Sequence, residues 1–273
     1  MSENFSEYTT LQTGGQMAEL FRASTEAELL DVLESVWSSG EEWMLLGGGS
    51  NMLVGSSGFD GSVILVETRG IDIVAEHAGY CLVRVAAGEN WDELVAWAVS
   101  SGLSGIEALS GIPGKVGAAP VQNIGAYGAE LSDVLQSIDF YDYLSGERAR
   151  LAAAELELGY RSSTLKSGRA GAVISIDLLL RRVEVQGDDA LGSAPVQYQQ
   201  LADALKVPLG TRAGLQDVRN AVLKLRASKG MVLDANDPDS VSAGSFFTNP
   251  IVSEAFTKTL PADAPRWPVE RTV

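Results

Sequence analysis

The 273-residue chain has one cysteine, Cys81, and one histidine, His77. A single cysteine excludes an intramolecular disulfide and thiolate metal sites, and it suits a reducing compartment. A single histidine leaves no partner set for Ser-His or Cys-His nucleophiles and no His-rich metal site. Both residues read as ordinary ones, Cys81 for packing and His77 in a turn between two strands. Basic residues are scarce as well: 20 Lys and Arg stand against 36 Asp and Glu, for a net charge of −16. That balance argues against nucleic acid or an anionic membrane as partner. A small anionic substrate would need a local cationic patch. No apolar run approaches the length of a membrane span. The acidic, polar start Met-Ser-Glu-Asn-Phe-Ser-Glu does not read as a signal or transit peptide, which leads to the expectation of a cytoplasmic protein. A chain so poor in nucleophilic machinery is expected to leave its chemistry to a cofactor.

Glycine, by contrast, is plentiful, and the chain is organised around Gly47-Gly48-Gly49-Ser50-Asn51-Met52. The apolar run Trp43 to Leu46 reads as a strand that delivers these residues. Bare glycines let a ligand approach backbone N–H groups with no Cβ in the way. The dinucleotide fingerprint fails, because it needs a third spaced glycine and a helix opening directly after it. A P-loop fails too, because no Lys lies near. Two readings remain, a surface turn and a phosphate cradle between strands. Arg22 is the only Lys or Arg before Arg69. An anion held in this lobe would therefore rest mainly on backbone dipoles, which favours the cradle.

At this length two or three lobes with their own cores are expected. Thr25-Glu26-Ala27-Glu28 matches a capping box for a helix through Leu29, Leu33, Val36 and Trp37 to Gly40. Ile71–Val74 and Tyr80–Val85 read as strands, and Asn90 caps a helix running to Gly102. The stretch from Gly111 to Gly128 holds five glycines and two prolines among Ile, Val and Tyr. Neither helix nor strand suits it, and it is too apolar for a linker. It reads equally as a backbone wall against a flat ligand or as an irregular buried loop. Gly114-Lys115 is not a P-loop, since Leu109 and Val116 take its Gly and Ser/Thr positions. Strands follow at Ile138–Tyr143, around Arg150-Leu151 and at Val173–Leu180. Between the last two, Gly159-Tyr160-Arg161-Ser162-Ser163 with Lys166 and Arg169 forms the first cationic cluster, suited to a carboxylate or phosphate. A polar stretch, Gln186–Gly192, precedes a helix marked by Val218, Ala221, Val222 and Leu225. Its Lys224, Arg226 and Lys229 fit a helix C-terminus. Last come Ala243–Pro250, a helix-like stretch Ser253–Leu260 and a proline-rich tail.

Gly47-Gly48-Gly49-Ser50-Asn51, Ile112-Pro113-Gly114 through Asn123-Ile124-Gly125-Ala126-Tyr127-Gly128, Gly159-Tyr160-Arg161 and Gly244-Ser245-Phe246-Phe247-x-Asn249-Pro250 occur in that order. In this order the chain resembles the UDP-N-acetylenolpyruvoylglucosamine reductase (MurB) family. Four such motifs over about 200 residues are far more specific than any one alone.

The resemblance implies an α+β fold, with a two-lobed FAD-binding domain of the vanillyl-alcohol-oxidase (PCMH) type over residues 14–182. Its lobes would part near residue 67, and a smaller α/β substrate lobe would follow over 206–273. It implies FAD, bound without a covalent link, and NADPH as co-substrate. The reaction would be reduction of UDP-N-acetylglucosamine enolpyruvate in peptidoglycan precursor synthesis. The cofactor would lie on Gly47, Gly48, Gly49, Ser50, Asn51, Met52, Gly111, Ile112, Pro113, Gly117, Asn123, Gly125 and Ala126. Arg161 matches the family's stabilising arginine and Ser245 its proton donor. Tyr198, Lys229 and Asn249 match residues that hold the UDP-sugar. A catalytic glutamate near the family's C-terminus has no match in context among Glu254, Asp263 and Glu270, and the third lobe is short. The expectation is thus a C-terminally short reductase, the alternative an FAD/UDP-sugar-binding module without that glutamate.

Overall fold

The computed structural model describes residues 3–183, 192–245 and 247–266. Phe246, Glu270, most of the polar stretch 186–192 and the end of the 206–273 segment lie outside them.

The first layer is small and parallel. Strands β1 (Met17–Ala23), β2 (Trp43–Leu46) and β3 (Phe59–Val66) pair in the order β1-β3-β2. Helix α1 (Glu26–Ser39) starts at the capping box. The Thr25 hydroxyl accepts the Glu28 N–H at 3.2 Å, and the Glu28 carboxylate accepts the N–H of Thr25 at 3.1 Å. It stops at Gly40, whose φ of +74° is a left-handed cap. The helix turns Leu29, Leu33 and Val36 onto the sheet.

The second layer is antiparallel: β4 (Ile71–His77), β5 (Tyr80–Ala86), β9 (Leu135–Asp142), β10 (Arg148–Ala152) and β11 (Gly171–Arg182), in the order β10-β9-β11-β5-β4. The short β6 (Leu103–Ser104) pairs with β11, and β7 (Gly125–Ala126) with β8 (Ala129–Glu130) forms a separate ribbon. His77 does not lie in the β4–β5 turn, as expected from sequence, but ends β4 opposite Tyr80. The turn needs only Ala78 and Gly79, at φ +49° and +78°, which is a two-residue hairpin with both centres left-handed. Cys81 is a fully buried core residue of β5. Helix α2 (Trp91–Ser100) is capped by the Asn90 side chain, which accepts the N–H groups of Asp92 and Glu93.

The two layers share a core. Ile64 and Val66 of β3 pack with Leu29 and Leu33 of α1 and with Ala172 and Ile174 of β11. Trp37 and Trp43 stack edge-on against Tyr143, and Trp37 also meets Tyr141, with ring centroids 4.8–5.4 Å apart. Arg148 of β10 joins them by donating to Asp139 beside it and to Glu26 of α1, each at 2.7 Å. Helices α3 (Gln199–Leu205) and α4 (Leu215–Ala227) make a third, smaller core with Val196 and Ala213. A four-residue helix, α5 (Glu254–Thr257), follows. Among the described residues, no helix is long and apolar enough to cross a membrane.

Candidate functional site

The two glycine-rich segments, separate in sequence, are interlocked in space. A Cβ on Gly48 would stand 2.8 Å from the Gly114 Cα, so only glycine at 48 permits this approach, and a Cβ on Gly114 would meet the Ser50 Oγ at 2.8 Å. The Ser50 hydroxyl donates to the Pro113 carbonyl at 3.2 Å. Gly49 at φ +57° passes so close to Tyr8 that its own Cβ would lie 2.0 Å from that carbonyl. Among the described residues, none of the five N–H groups from Gly47 to Asn51 meets an acceptor. Backbone donors without a protein acceptor suit an anion. Met52 packs its side chain into the first layer's outer core.

Below this loop, a cavity of about 310 Å³ opens between the layers. The first layer contributes Trp43, Leu45 and Gly47, the second Phe140, Gly171 and Val173, and the second glycine segment Gly117, Ala118 and Val121. Gly117 donates its N–H to the Ala87 carbonyl at 2.8 Å, and a Cβ there would be 2.6 Å from the Ala87 Cβ. From Val116 to Gln122 the segment is a 3-10 helix carrying Pro120, which answers why its residues fit neither helix nor strand.

Asn123, fully buried at φ +44°, closes that helix and knots the site together. Its carboxamide donates to Glu130, Ser132 and the Gly159 carbonyl and accepts the Ser132 N–H. Arg161, itself left-handed at φ +52°, reaches across to donate to the Asn123 carbonyl at 3.1 Å and the Gly125 carbonyl at 2.6 Å. The cationic loop is therefore fastened to the second glycine segment, and Arg161 lies over the Tyr160 ring, 5.4 Å from its centroid. Among the described residues these two bonds leave three of the guanidinium's five N–H donors without an acceptor.

The remaining predicted residues fall into two groups around this centre. Asn249 meets, through its N–H, the hydroxyl of Tyr160, one residue before Arg161, at 3.4 Å. Ser245 is exposed. Tyr198 and Lys229 meet on Tyr127: the two tyrosine rings are edge to face at 5.7 Å, and the Lys229 ammonium stands 5.9 Å over the Tyr127 ring. Lys229 also donates to Gln200 at 2.9 Å, beyond the end of α4. Burial pushes the Tyr127 phenol up.

Gly111 and Ile112 begin the second segment under α4. A Cβ on Gly111 would touch Leu223 and the Arg226 Nε, at 3.0 and 3.3 Å. That Nε is buried with no acceptor among the described residues, while Nη2 donates to Met231 at 3.0 Å. Burial pulls the Arg226 guanidinium down from its ordinary value.

Three features lay beyond the sequence reading. Tyr127 stood in a recognised motif with no role attached. Arg226 read only as the basic end of a helix. The third is a side chain that passes the first glycine loop. Lys115 crosses Gly47, where a Cβ would lie 3.3 Å from its own Cβ and Cγ. It comes from 68 positions further on, so no local pattern could signal it.

The FAD binding domain family matches residues 17–152. The UDP-N-acetylenolpyruvoylglucosamine reductase of Leifsonia xyli subsp. xyli is 56% identical over 263 residues, 96% of this chain and 70% of its own length. That of Salinispora arenicola is 43% identical over 271 residues, 97% of this chain and 73% of its own. The crystal structure of UDP-N-acetylenolpyruvylglucosamine reductase from Thermus caldophilus matches with a TM-score of 0.63 at 28% identity, over 92% of this chain and 74% of that one.

Proposed function

The chain belongs to the UDP-N-acetylenolpyruvoylglucosamine reductase family, and from that premise we propose how its residues divide the work. The protein is an FAD-dependent oxidoreductase that reduces UDP-N-acetylglucosamine enolpyruvate to UDP-N-acetylmuramate with NADPH. FAD, when bound, supplies the hydride relay between nicotinamide and the enolpyruvyl carbon, chemistry that no side chain provides. Residues 14–182 form its binding part, with the lobes parting near 67, and 206–273 belong to the substrate lobe.

The observation that carries this reading is the row of N–H groups from Gly47 to Asn51 that meets no acceptor among the described residues and begins at Gly47 on the wall of the inter-layer cavity. These donors hold the cofactor's diphosphate. Gly111, Ile112, Pro113 and Gly117 present backbone and apolar surface to its flat ring, and the orphaned Arg226 Nε lies beside them as a further donor. Asn123 spends its side chain on the fold, so it shapes the wall occupied by Gly125 and Ala126 without reaching the ligand through its carboxamide.

Arg161 binds the substrate carboxylate with its free donors and stabilises the negative charge that builds there as hydride arrives. Ser245 donates the proton to the neighbouring carbon. An alcohol stays protonated at pH 7, and an enol-type carbon is basic enough to take its proton. Tyr198, Lys229 and Asn249 hold the diphosphate and sugar of the UDP group.

The test is reconstitution of the protein with FAD, followed by anaerobic addition of NADPH and then of the enolpyruvyl substrate. Bleaching of the flavin band by NADPH and its return with substrate are expected. A protein that binds no FAD, or whose reduced flavin ignores the substrate, overturns the reading.

A further inference from the structure

We propose that Lys115 is a cofactor-binding residue that reads the negative charge of the FAD diphosphate, adding a cation to a cradle otherwise made of backbone. The inference rests on the FAD site described above. Three observations meet at this side chain. Its stem lies across Gly47, the first residue of the row of free N–H groups. It lines the inter-layer cavity, where most of the other lining side chains are apolar. Among the described residues its ammonium makes no hydrogen bond and no ion pair.

That isolation has a consequence. The backbone of Lys115 is pinned from both sides, by a bridge to Asn90 and by its carbonyl accepting the Ala118 N–H at 3.1 Å. The side chain is therefore aimed by a fixed backbone. Burial, helped by Arg69, holds its ammonium below the ordinary lysine value, although Glu67, Glu89 and Glu93 act in the opposite sense. A half-buried charge with no partner is a cost to the folded protein. A diphosphate on the Gly47–Asn51 donors would remove that cost and give the ammonium a charge-assisted bond. Arg169, the other cation on this cavity, is already engaged by Asp142 at 3.2 Å and by the Phe140 ring. Lys115 alone of the two is free to pair.

The experiment compares FAD with riboflavin, which keeps the ring and lacks every phosphate. Apoprotein, Lys115→Met and Lys115→Arg are titrated with each by flavin fluorescence. Lys115→Met should weaken FAD by about 10- to 100-fold, the worth of one hydrogen bond to a charged group. It should leave riboflavin unchanged, and Lys115→Arg should recover most of the FAD affinity. Equal FAD affinity in wild type and Lys115→Met overturns the proposal. So does a loss of FAD and riboflavin in equal measure, which would make Lys115 a shaping residue for the cleft. Failure of the wild-type protein itself to bind FAD is a distinct outcome, and it removes the parent reading first.

Discussion

Asp92 on α2 holds Arg219 on α4 at two points, Nη1 to Oδ1 at 2.6 Å and Nη2 to Oδ2 at 2.8 Å. The same Oδ1 accepts the N–H of Gly111 at 2.6 Å. One carboxylate thus ties the helix of the third core to the first residue of the second glycine segment.

This knot should be visible in stability against pH. Burial disfavours the Asp92 charge, but Arg219, the Gly111 N–H and the nearby Arg226 outweigh it and hold the carboxyl below its ordinary 3.8. A depressed carboxylate contributes stability that is present above the unfolded value and lost as pH falls through the lower folded one. Asp92→Asn should cost about 1.5–3 kcal/mol near neutral pH. Urea unfolding of the two proteins should converge as pH drops below 3.8. A gap that stays constant from neutral to acid would mean that the charge of Asp92 is not what binds these elements.

The interlocked glycines give a second test. Gly48→Ala keeps an ordinary backbone but presses a methyl onto the Gly114 Cα at 2.8 Å, so the two segments must part. Gly49→Ala adds a left-handed residue to a clash at 2.0 Å with a carbonyl. Gly40→Ala is the control: φ is +74° but nothing lies within 4 Å, so only the strain of roughly 1–2 kcal/mol applies. In thermal melts Gly49→Ala should fall furthest. In FAD titrations Gly48→Ala should weaken binding while Gly40→Ala does not. Wild-type FAD affinity in Gly48→Ala would show that the approach of the segments does not matter to the cofactor.

FAD should be released intact by acid precipitation, its colour staying in the supernatant. Covalent flavin links in this fold usually use His or Cys. Here Cys81 is fully buried in β5, and His77 ends β4 at the far side of the second sheet from β9 and β10. Colour kept in the pellet would require another tether.

What could be read before the fold was known follows from range. Thr25 and Glu28 announced α1 because a capping box closes within four residues. Tyr80–Ala86 was legible because one face of it is buried in alternation. Strand β1 escaped notice since Glu19 and Arg22 interrupt its apolar residues, and pairing with β3 is what makes it a strand. Helix α3 escaped because seven residues hold too little periodicity. At the site, each glycine motif was legible alone, but Gly48 meeting Gly114 and Lys115 crossing Gly47 depend on chain passages over more than sixty residues. The expectation that an anion at the first loop rests mainly on backbone dipoles came from cations close in sequence, and such a count is blind to a side chain that arrives from 68 positions away.

Lys229→Ala should separate substrate from cofactor. Its ammonium sits over Tyr127 and bonds Gln200, neither of which lines the inter-layer cavity. KM for the UDP-sugar should rise at least tenfold, with FAD affinity and the rate of flavin reduction by NADPH little changed. A matching loss in FAD affinity would place Lys229 in the cofactor site instead.

The sharpest division is between Arg161 and Ser245. Ser245→Ala removes the proposed proton donor, and the residue is exposed, so the fold should not suffer. It should spare flavin reduction by NADPH and slow substrate reduction by about 10²–10⁴. Arg161 fastens the 159–163 turn to the carbonyls of Asn123 and Gly125. In the proposed mechanism its remaining donors take the substrate carboxylate. An ammonium cannot fill both carbonyls and still present a planar fork, so Arg161→Lys should also slow substrate reduction. Unlike the serine change, it should lower the melting temperature, since the Asn123 knot loses a strut. Stopped-flow traces of the two half-reactions, with melts of each variant, check this. If Ser245→Ala slowed both half-reactions alike, its proton would not be the one delivered to carbon. If Arg161→Lys kept full substrate reduction, the guanidinium would be a structural clamp and the carboxylate would be held elsewhere.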